Sequence, residues 1–135
     1  MNRLLLILTI LFISCQTDTK LFDDVNKIAE FKGTYEPILI QAGKESGFLD
    51  NMMEYNILKI DTLSFQNLQN SIDTSKKFEQ GRYYLNIELD DYINKNELDI
   101  LNMSKSLITE NQFDKTYNLY LMSDRKTLVI CKINH

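Results

Sequence analysis

The pattern of apolar and polar positions divides the chain into a short apolar leader and a longer segment of mixed pattern. Residues 4–13 form an unbroken apolar run, preceded by Asn2-Arg3 and followed by Ser14-Cys15. A run of about ten residues is too short for an ordinary transmembrane helix, which needs roughly 20. A cationic start, an apolar centre of this length and a small residue at the exit are typical of a cleaved secretory signal.

Two later segments have helical periodicity. The first begins near residue 21, with Asp18 or Thr19 as a possible cap and Gly33 as a possible end, and the second follows Ser64, a favourable capping residue. The apolar positions that share one helix face are Leu21, Val25 and Ile28 in the first segment and Phe65, Leu68 and Ile72 in the second.

Residues 36–53 can be interpreted in two ways. Pro37 at a first turn and the apolar spacing after it favour a helix, although Gly43 and Gly47 would each cost about 1 kcal/mol there. The alternative is a strand over residues 38–40, a glycine-bounded turn and a short helix over residues 48–53.

Four segments predict strands: residues 55–61, 83–89, 117–122 and 127–133. The alternation is cleanest in the second, where four apolar side chains from Tyr83 to Leu89 would form one buried face. Residues 123–126 suit a hairpin connection, and the last strand is apolar on both faces, which predicts a place inside the sheet. Residues 91–116 show no clear period beyond a possible helical turn or two through Leu98, Leu101 and Ile108. We therefore predict a two-layer α+β fold, with an antiparallel sheet of about four strands packed against helices.

The length, cysteine content and charge of the chain indicate one acidic domain that needs no disulfide bond. Residues 15–135 have the length of one domain, which can bury roughly two-thirds of its unfolded surface. Cys131 alternates with Val129 and Ile133, so we interpret it as a small buried apolar residue. Without residues 1–14 the chain has 14 Lys and Arg against 19 Asp and Glu, a net charge of −5. An acidic chain with no basic stripe disfavours binding to nucleic acid.

The segment around Cys15 resembles the lipobox of bacterial lipoproteins. Phe12-Ile13-Ser14-Cys15 contains the small residue and the cysteine of that motif, with Phe12 at the position where Leu is usual. The resemblance implies cleavage after Ser14, diacylglycerol on the Cys15 sulfur, an acylated amino terminus and attachment to a membrane. Gln16, rather than an aspartate, implies the outer membrane within the sorting logic of that family. The alternative is an uncleaved signal or a core helix in which the cysteine is incidental.

On this interpretation the chain has three parts. They are a signal peptide (residues 1–14), a lipidated cysteine with a short polar tether (residues 15–20) and one globular domain (residues 21–135).

Few residues in the chain offer catalytic chemistry. The single histidine, His135, is the last residue, where chain ends usually fray. The glycines never approach a phosphate-binding spacing, and the residues around Asp90 lack the ligand spacing of an EF-hand loop. We therefore expect no cofactor, no metal and no enzymatic activity. A hydrolase that uses two of the clustered carboxylates stays an alternative; these are Glu88, Asp90, Asp91, Glu97 and Asp99.

Tyrosine and acidic side chains near the predicted sheet could form a surface that recognises another protein. If Tyr84 and Tyr120 stand on an exposed sheet face beside Glu88 and Asp90, the four form a patch for a basic protein partner. We expect a membrane-anchored envelope domain that acts by binding, as an immunity or inhibitor protein does. A structural or accessory subunit of an outer-membrane complex, docked through an apolar patch, is the alternative.

Overall fold

The computed structural model describes residues 19–31, 33, 35–46, 52–83 and 86–135. In chain order, the elements of these residues are α1 (Lys20–Ala29), β1 (Ile38–Ser46), β2 (Met52–Lys59), α2 (Thr62–Thr74), β3 (Glu79–Gln80), α3 (Ile87–Lys95), β4 (Ile100–Glu110), β5 (Phe113–Met122) and β6 (Thr127–Asn134). The predicted signal peptide, Cys15 and Tyr84 lie outside the described residues. Among the helices that are described, none combines the length and the hydropathy needed to cross a membrane.

All six strands belong to one antiparallel sheet with the order β1-β2-β6-β5-β4-β3. The predicted α+β class and the antiparallel sheet are confirmed, but the described sheet has six strands instead of about four. The strands β3 and β4 have no counterpart in the prediction. The strand β1 has one only in the alternative interpretation of residues 36–53.

Helices cover both faces of the sheet, so the fold has three layers and the predicted two-layer arrangement is wrong. Leu58 of β2 packs in one buried cluster with Val25 of α1 and Leu68 of α2. Its neighbour Ile57 packs in a second cluster with Leu89 of α3. Because successive side chains of a strand point to opposite faces, the two clusters lie on opposite sides of the sheet. We call these sides the α1/α2 face and the α3 face.

The two predicted helices are confirmed, with differences at their ends. The predicted apolar faces are buried at Leu21 and Val25 in α1 and at Phe65, Leu68 and Ile72 in α2. The predicted cap at Ser64 is wrong, because Ser64 lies inside the first turn of α2. Asp61 caps the helix, since its Oδ1 accepts a hydrogen bond from the Ser64 amide at 2.8 Å. The helix α1 ends before Gly33, at Glu30, which has the left-handed φ of 51°.

The strand predicted over residues 83–89 is wrong from Asn86 onward, since α3 begins at Ile87; residues 84–85 lie outside the described residues. Asn86 caps this helix, and Glu88 and Asp90 in its first turn interact favourably with the positive end of the helix dipole. Ile87, which the strand interpretation buries, is 76% exposed, whereas Leu89 is fully buried. Capping therefore decides the structure here, and the two-residue alternation of apolar side chains is incidental.

The helix predicted within residues 36–53 is also wrong where the structure describes it. Residues 38–46 form β1, so the alternative interpretation is correct for the strand at residues 38–40. Its short helix is wrong at Met52 and Met53, which begin β2, and residues 48–51 lie outside the described residues. The helical turn or two predicted through Leu98, Leu101 and Ile108 is wrong, because Leu98 follows the end of α3 and the other two lie in β4. The strands β4 and β5 occupy most of that segment.

The carboxy-terminal hairpin is confirmed. The strands β5 and β6 contain the predicted strands and are joined by residues 123–126, and β6 lies inside the sheet between β2 and β5. Asp124 organises the connection, because its carboxylate accepts hydrogen bonds from the Lys126 amide at 3.0 Å and from the Thr127 amide at 2.8 Å. Cys131 is fully buried on the α3 face with Val129, as predicted.

Candidate acidic binding groove

The amino-terminal end of α3 is fixed to the sheet through Asn86. The Asn86 Oδ1 accepts a hydrogen bond from the Leu89 amide at 2.9 Å, which caps the helix. The Asn86 Nδ2 donates to Glu45 Oε2 on β1 at 2.6 Å. Asn86 is 4% exposed, and this pair of bonds uses both ends of its amide. The helix is therefore held at a defined position above β1.

Tyr55 forms a second link between the sheet and α3. A Cβ added to Gly43, its register partner on β1, would lie 2.4 Å from the Tyr55 ring, so the ring crosses the space that this glycine leaves open. The Tyr55 hydroxyl accepts a hydrogen bond from Gln41 Nε2 at 3.0 Å and donates one to Glu88. Burial, and then the bond to Glu88, raises the Tyr55 pKa, so the phenol stays a protonated donor at neutral pH.

Tyr83 and Asp90 form a third link. The Tyr83 hydroxyl donates to Asp90, and the Tyr83 ring lies 5.4 Å, between centroids, from the ring of Tyr120. Burial, followed by the bond to Asp90, raises the pKa of Tyr83. Tyr120 is fully buried, and its hydroxyl donates to the Arg82 carbonyl at 3.0 Å. Tyr83 and Tyr120 therefore attach α3 and the chain that precedes it to the sheet.

An open, acid-lined space lies between α3 and the strands β1 and β2. It consists of two cavities of about 440 and 300 Å³, and Glu88 lines both. We call the space the acidic groove and define it by Gln41, Glu45, Tyr55, Asn86, Glu88, Asp91 and Tyr92.

The carboxylates of the acidic groove outnumber the cations around it. Lys44 and Lys95 also contribute to the lining, but the Lys44 ammonium is ion-paired with Glu54 at 3.6 Å. Ile87, at the edge of the smaller cavity, is 76% exposed. The groove therefore combines negative charge, the half-buried ring of Tyr92 and one exposed apolar side chain, a combination that suits a protein partner.

The predicted patch of Tyr84, Glu88, Asp90 and Tyr120 does not form on an exposed sheet face. Tyr120 is buried, Tyr84 lies outside the described residues, and the two acids stand on a helix. Of the four, Glu88 is in the groove. Asp90 instead receives the hydrogen bond from Tyr83.

Sequence reasoning missed the β1 and β2 residues of the groove. Gln41, Glu45 and Tyr55 meet α3 only because the sheet brings together positions that are 33 and 41 residues apart in the chain. Asn86 was within reach of sequence reasoning, because an asparagine before acidic residues is typical of a helix start.

Cys131 and His135 lie outside the groove. Burial raises the pKa of the Cys131 thiol to about 12, so the thiolate that reacts with electrophiles is scarce at neutral pH. The expected fraying of His135 is not observed, since its amide donates to the Asp114 carbonyl at 3.0 Å and its Nε2 lies 2.8 Å from Thr116 Oγ1.

Within the described parts of the chain, no three His, Cys, Asp or Glu side chains are grouped so that they could hold a metal ion.

No protein-family model matches this sequence, and neither a curated protein nor a solved structure is significantly similar to it.

Proposed function

We propose that the chain is a lipid-anchored protein of the bacterial cell envelope that binds a basic protein partner through the acidic groove. The observation that carries the proposal is that Glu88 lines both open cavities of the acidic groove. It shares one cavity with Glu45 and Tyr55, and the other with Asp91 and Tyr92. Negative surface charge accelerates encounter with a basic protein and selects against acidic competitors. An immunity or inhibitor protein is the role that fits best.

Binding fits the groove better than catalysis does. Glu88 is solvent-exposed and accepts the bond from Tyr55, so no water-excluding pocket surrounds it. The Tyr55 pKa is raised by burial and by its bond to Glu88, which makes the phenol a poor base or nucleophile. A hydrolase that uses these carboxylates is therefore the weaker alternative.

The accessory-subunit alternative calls for a broad apolar patch. The large exposed apolar side chains of the described residues come from six different elements: Ile38 and Ile40 of β1, Met52 of β2, Leu63 of α2, Ile87 of α3, Leu101 and Leu107 of β4, and Phe113 of β5. Because these side chains are distributed over six elements, whereas Glu88 joins the two cavities of the acidic groove, the groove is the more specific surface.

The lipid anchor is proposed from the lipobox resemblance at Cys15. Three acyl chains would hold the protein persistently, since each buried methylene contributes roughly 0.8 kcal/mol. The helix α1 begins at Lys20, so the intervening chain spans less than about 20 Å even when extended. The domain would therefore bind its partner close to the membrane surface.

Site-specific photocrosslinking in intact cells tests the binding proposal. A photoreactive side chain at Ile87, on the edge of the groove, should yield a covalent product with a basic protein. The same probe at Leu63, which is 68% exposed on α2 and belongs to the opposite side of the sheet, is the matched control.

The crosslinked product should depend on the charge of the groove. The triple variant E45Q/E88Q/D91N should lose the Ile87 product, whereas E36Q/D73N/E97Q, which removes three exposed charges elsewhere, should keep it. Equal crosslinking by both triple variants, or products with acidic proteins only, would contradict the proposal.

Mass spectrometry of the mature amino terminus tests the anchor separately. The expected species begins at Cys15 and carries acyl chains, and a C15S variant should lose both processing and membrane partitioning. An intact, unacylated amino terminus on protein recovered from the cytosol would refute lipid anchoring and leave the groove proposal to be judged alone.

A further inference from the structure

The strand β1 ends the sheet on one side. It follows β2 in the strand order, and no other strand of the described residues pairs with its outer edge. At nine residues, Ile38–Ser46 is long for an edge strand. Its register shifts between Leu39 and Gln41, and beyond that irregularity the pairing with β2 is continuous to Ser46. The outer edge of this regular stretch offers backbone donors and acceptors to another strand.

Alternate side chains of β1 point toward α3. Gln41 lines the groove beside Glu88 and Asp91, Gly43 lies under the Tyr55 ring, and Glu45 accepts the bond from Asn86. A strand added to β1 would lie roughly 4.8 Å away and would direct every second side chain to the same face. Those side chains would therefore be placed beside the acidic groove.

We propose that β1 receives an extended, basic segment of the partner protein as a seventh strand, with Lys or Arg at every second position facing the acidic groove. This inference rests on the proposed function and specifies the conformation of the partner. The main-chain hydrogen bonds of an added strand give affinity without sequence preference, and alternate side chains give specificity. Charge complementarity identifies the occupant, because Glu45, Glu88 and Asp91 converge on the side that those alternate residues would face.

The two edges of the sheet differ, which provides an internal control. At the far edge, β3 pairs with β4 only at Glu79–Lys105 and Gln80–Ser104, so the outer edge of residues 107–109 is also open among the described strands. The acidic groove does not border that stretch, since no residue of β4 lines either of its cavities. A basic strand should therefore select β1 over β4.

Synthetic octapeptides test the inference on the full chain, purified in non-ionic detergent. The probe KTKTKTKT has the proposed alternation, and KKKKTTTT has the same composition and charge in another order. Titration calorimetry should show about tenfold tighter binding of the alternating peptide, because all of its Lys side chains then face the same side as the groove, whereas only half of those of KKKKTTTT do.

Backbone N-methylation separates strand addition from simple charge attraction. The amides of alternate residues in a strand point to the same edge, so methylation of either all Thr or all Lys amides blocks one edge only. We expect one methylated isomer to lose binding at least about tenfold and the other to retain it. Amide exchange should slow at alternate residues of β1 when KTKTKTKT is bound, and it should not change at residues 107–109.

The possible outcomes distinguish this inference from the function on which it rests. Equal binding of both methylated isomers, or no protection in β1, would overturn strand addition, while charge-dependent crosslinking at Ile87 would still support the groove as a partner site. Protection at β4 instead of β1 would overturn the choice of edge. Loss of alternating-peptide binding in E45Q/E88Q/D91N but not in E36Q/D73N/E97Q would support both proposals.

Discussion

Replacing Gly43 with alanine should destabilise the domain and disrupt one side of the acidic groove. The new Cβ would lie 2.4 and 2.7 Å from two carbons of the Tyr55 ring and 2.8 Å from its hydroxyl oxygen, whereas ordinary carbon contacts are about 3.5–4.0 Å. The ring would have to move by roughly 1 Å. Tyr55 is 1% exposed and is held at its hydroxyl by Gln41 and Glu88, so such a shift breaks hydrogen bonds as well as packing.

The magnitude follows from these two contributions. Overpacking of a buried site costs about 1–3 kcal/mol, and loss of the Tyr55 hydrogen bonds adds about 1 kcal/mol. We expect the free energy of unfolding of G43A to fall by about 2–4 kcal/mol and its Tm to fall by about 10 °C. Urea denaturation followed by circular dichroism measures the first quantity, and a thermal scan measures the second.

A double-mutant cycle shows whether the Tyr55 ring is the cause. In a Y55A background the ring is absent, so G43A should then change the free energy of unfolding by less than about 0.5 kcal/mol. Ala42, the neighbouring residue on the opposite face of β1, supplies a positional control as A42S, which should be tolerated because Ala42 is exposed. Equal costs of G43A with and without Tyr55 would refute the packing argument.

Three further predictions concern a helix cap, a titrating loop carboxylate and the buried thiol. The variant N86A should lower the free energy of unfolding by about 1–2 kcal/mol in urea denaturation, since it removes the cap of α3, and N86D should recover the capping part of that loss. Burial raises the pKa of Asp124, but hydrogen bonds from Thr127 and Lys126 outweigh it, so the net pKa is lowered. Because the Asp124 pKa is lower in the folded state, the carboxylate stabilises the domain at pH values above its unfolded-state pKa of about 4. This stabilisation is lost as the pH falls through the folded-state pKa. The unfolding free energy of D124N should therefore depend less on pH below about 4 than that of the wild type, and parallel profiles would contradict the assignment. Cys131, whose pKa burial raises to about 12, should resist alkylation by iodoacetamide in the native state and react in urea; rapid native labelling would show that the site opens.

The wrong strand prediction at residues 83–89 shows where local pattern fails. Tyr83, Ile87 and Leu89 fit a two-residue period, but Asn86 and the acids after it form a helix start. Leu89, Tyr92 and Ile93 also follow one another at helical spacing, and all three pack on the α3 face. Two periods compete in such a short segment, and the cap, together with packing against the sheet, selects the helix.

The groove could not be predicted from the sequence, for a related reason. Glu88 is recognisable as an acidic residue on a polar face, but its partner Tyr55 is 33 residues earlier in the chain. Gly43 would weaken the predicted helix at residues 36–53. In β1 it provides the space that the Tyr55 ring needs, and this requirement exists only once β1 and β2 are paired.

The amino-acid pattern alone determined the α+β class, α1 and α2, the terminal hairpin and the burial of Cys131, because each depends on periodicity, capping or turn composition within about a dozen residues. It also supplied the lipobox resemblance at Cys15, which stays a prediction. Tertiary structure decided that helices cover both faces of the sheet, that β1 stands at an edge, and that acids from β1 and α3 share one groove. These features depend on which distant segments pair and pack, and the free energy of those contacts is not encoded in any local stretch of the chain.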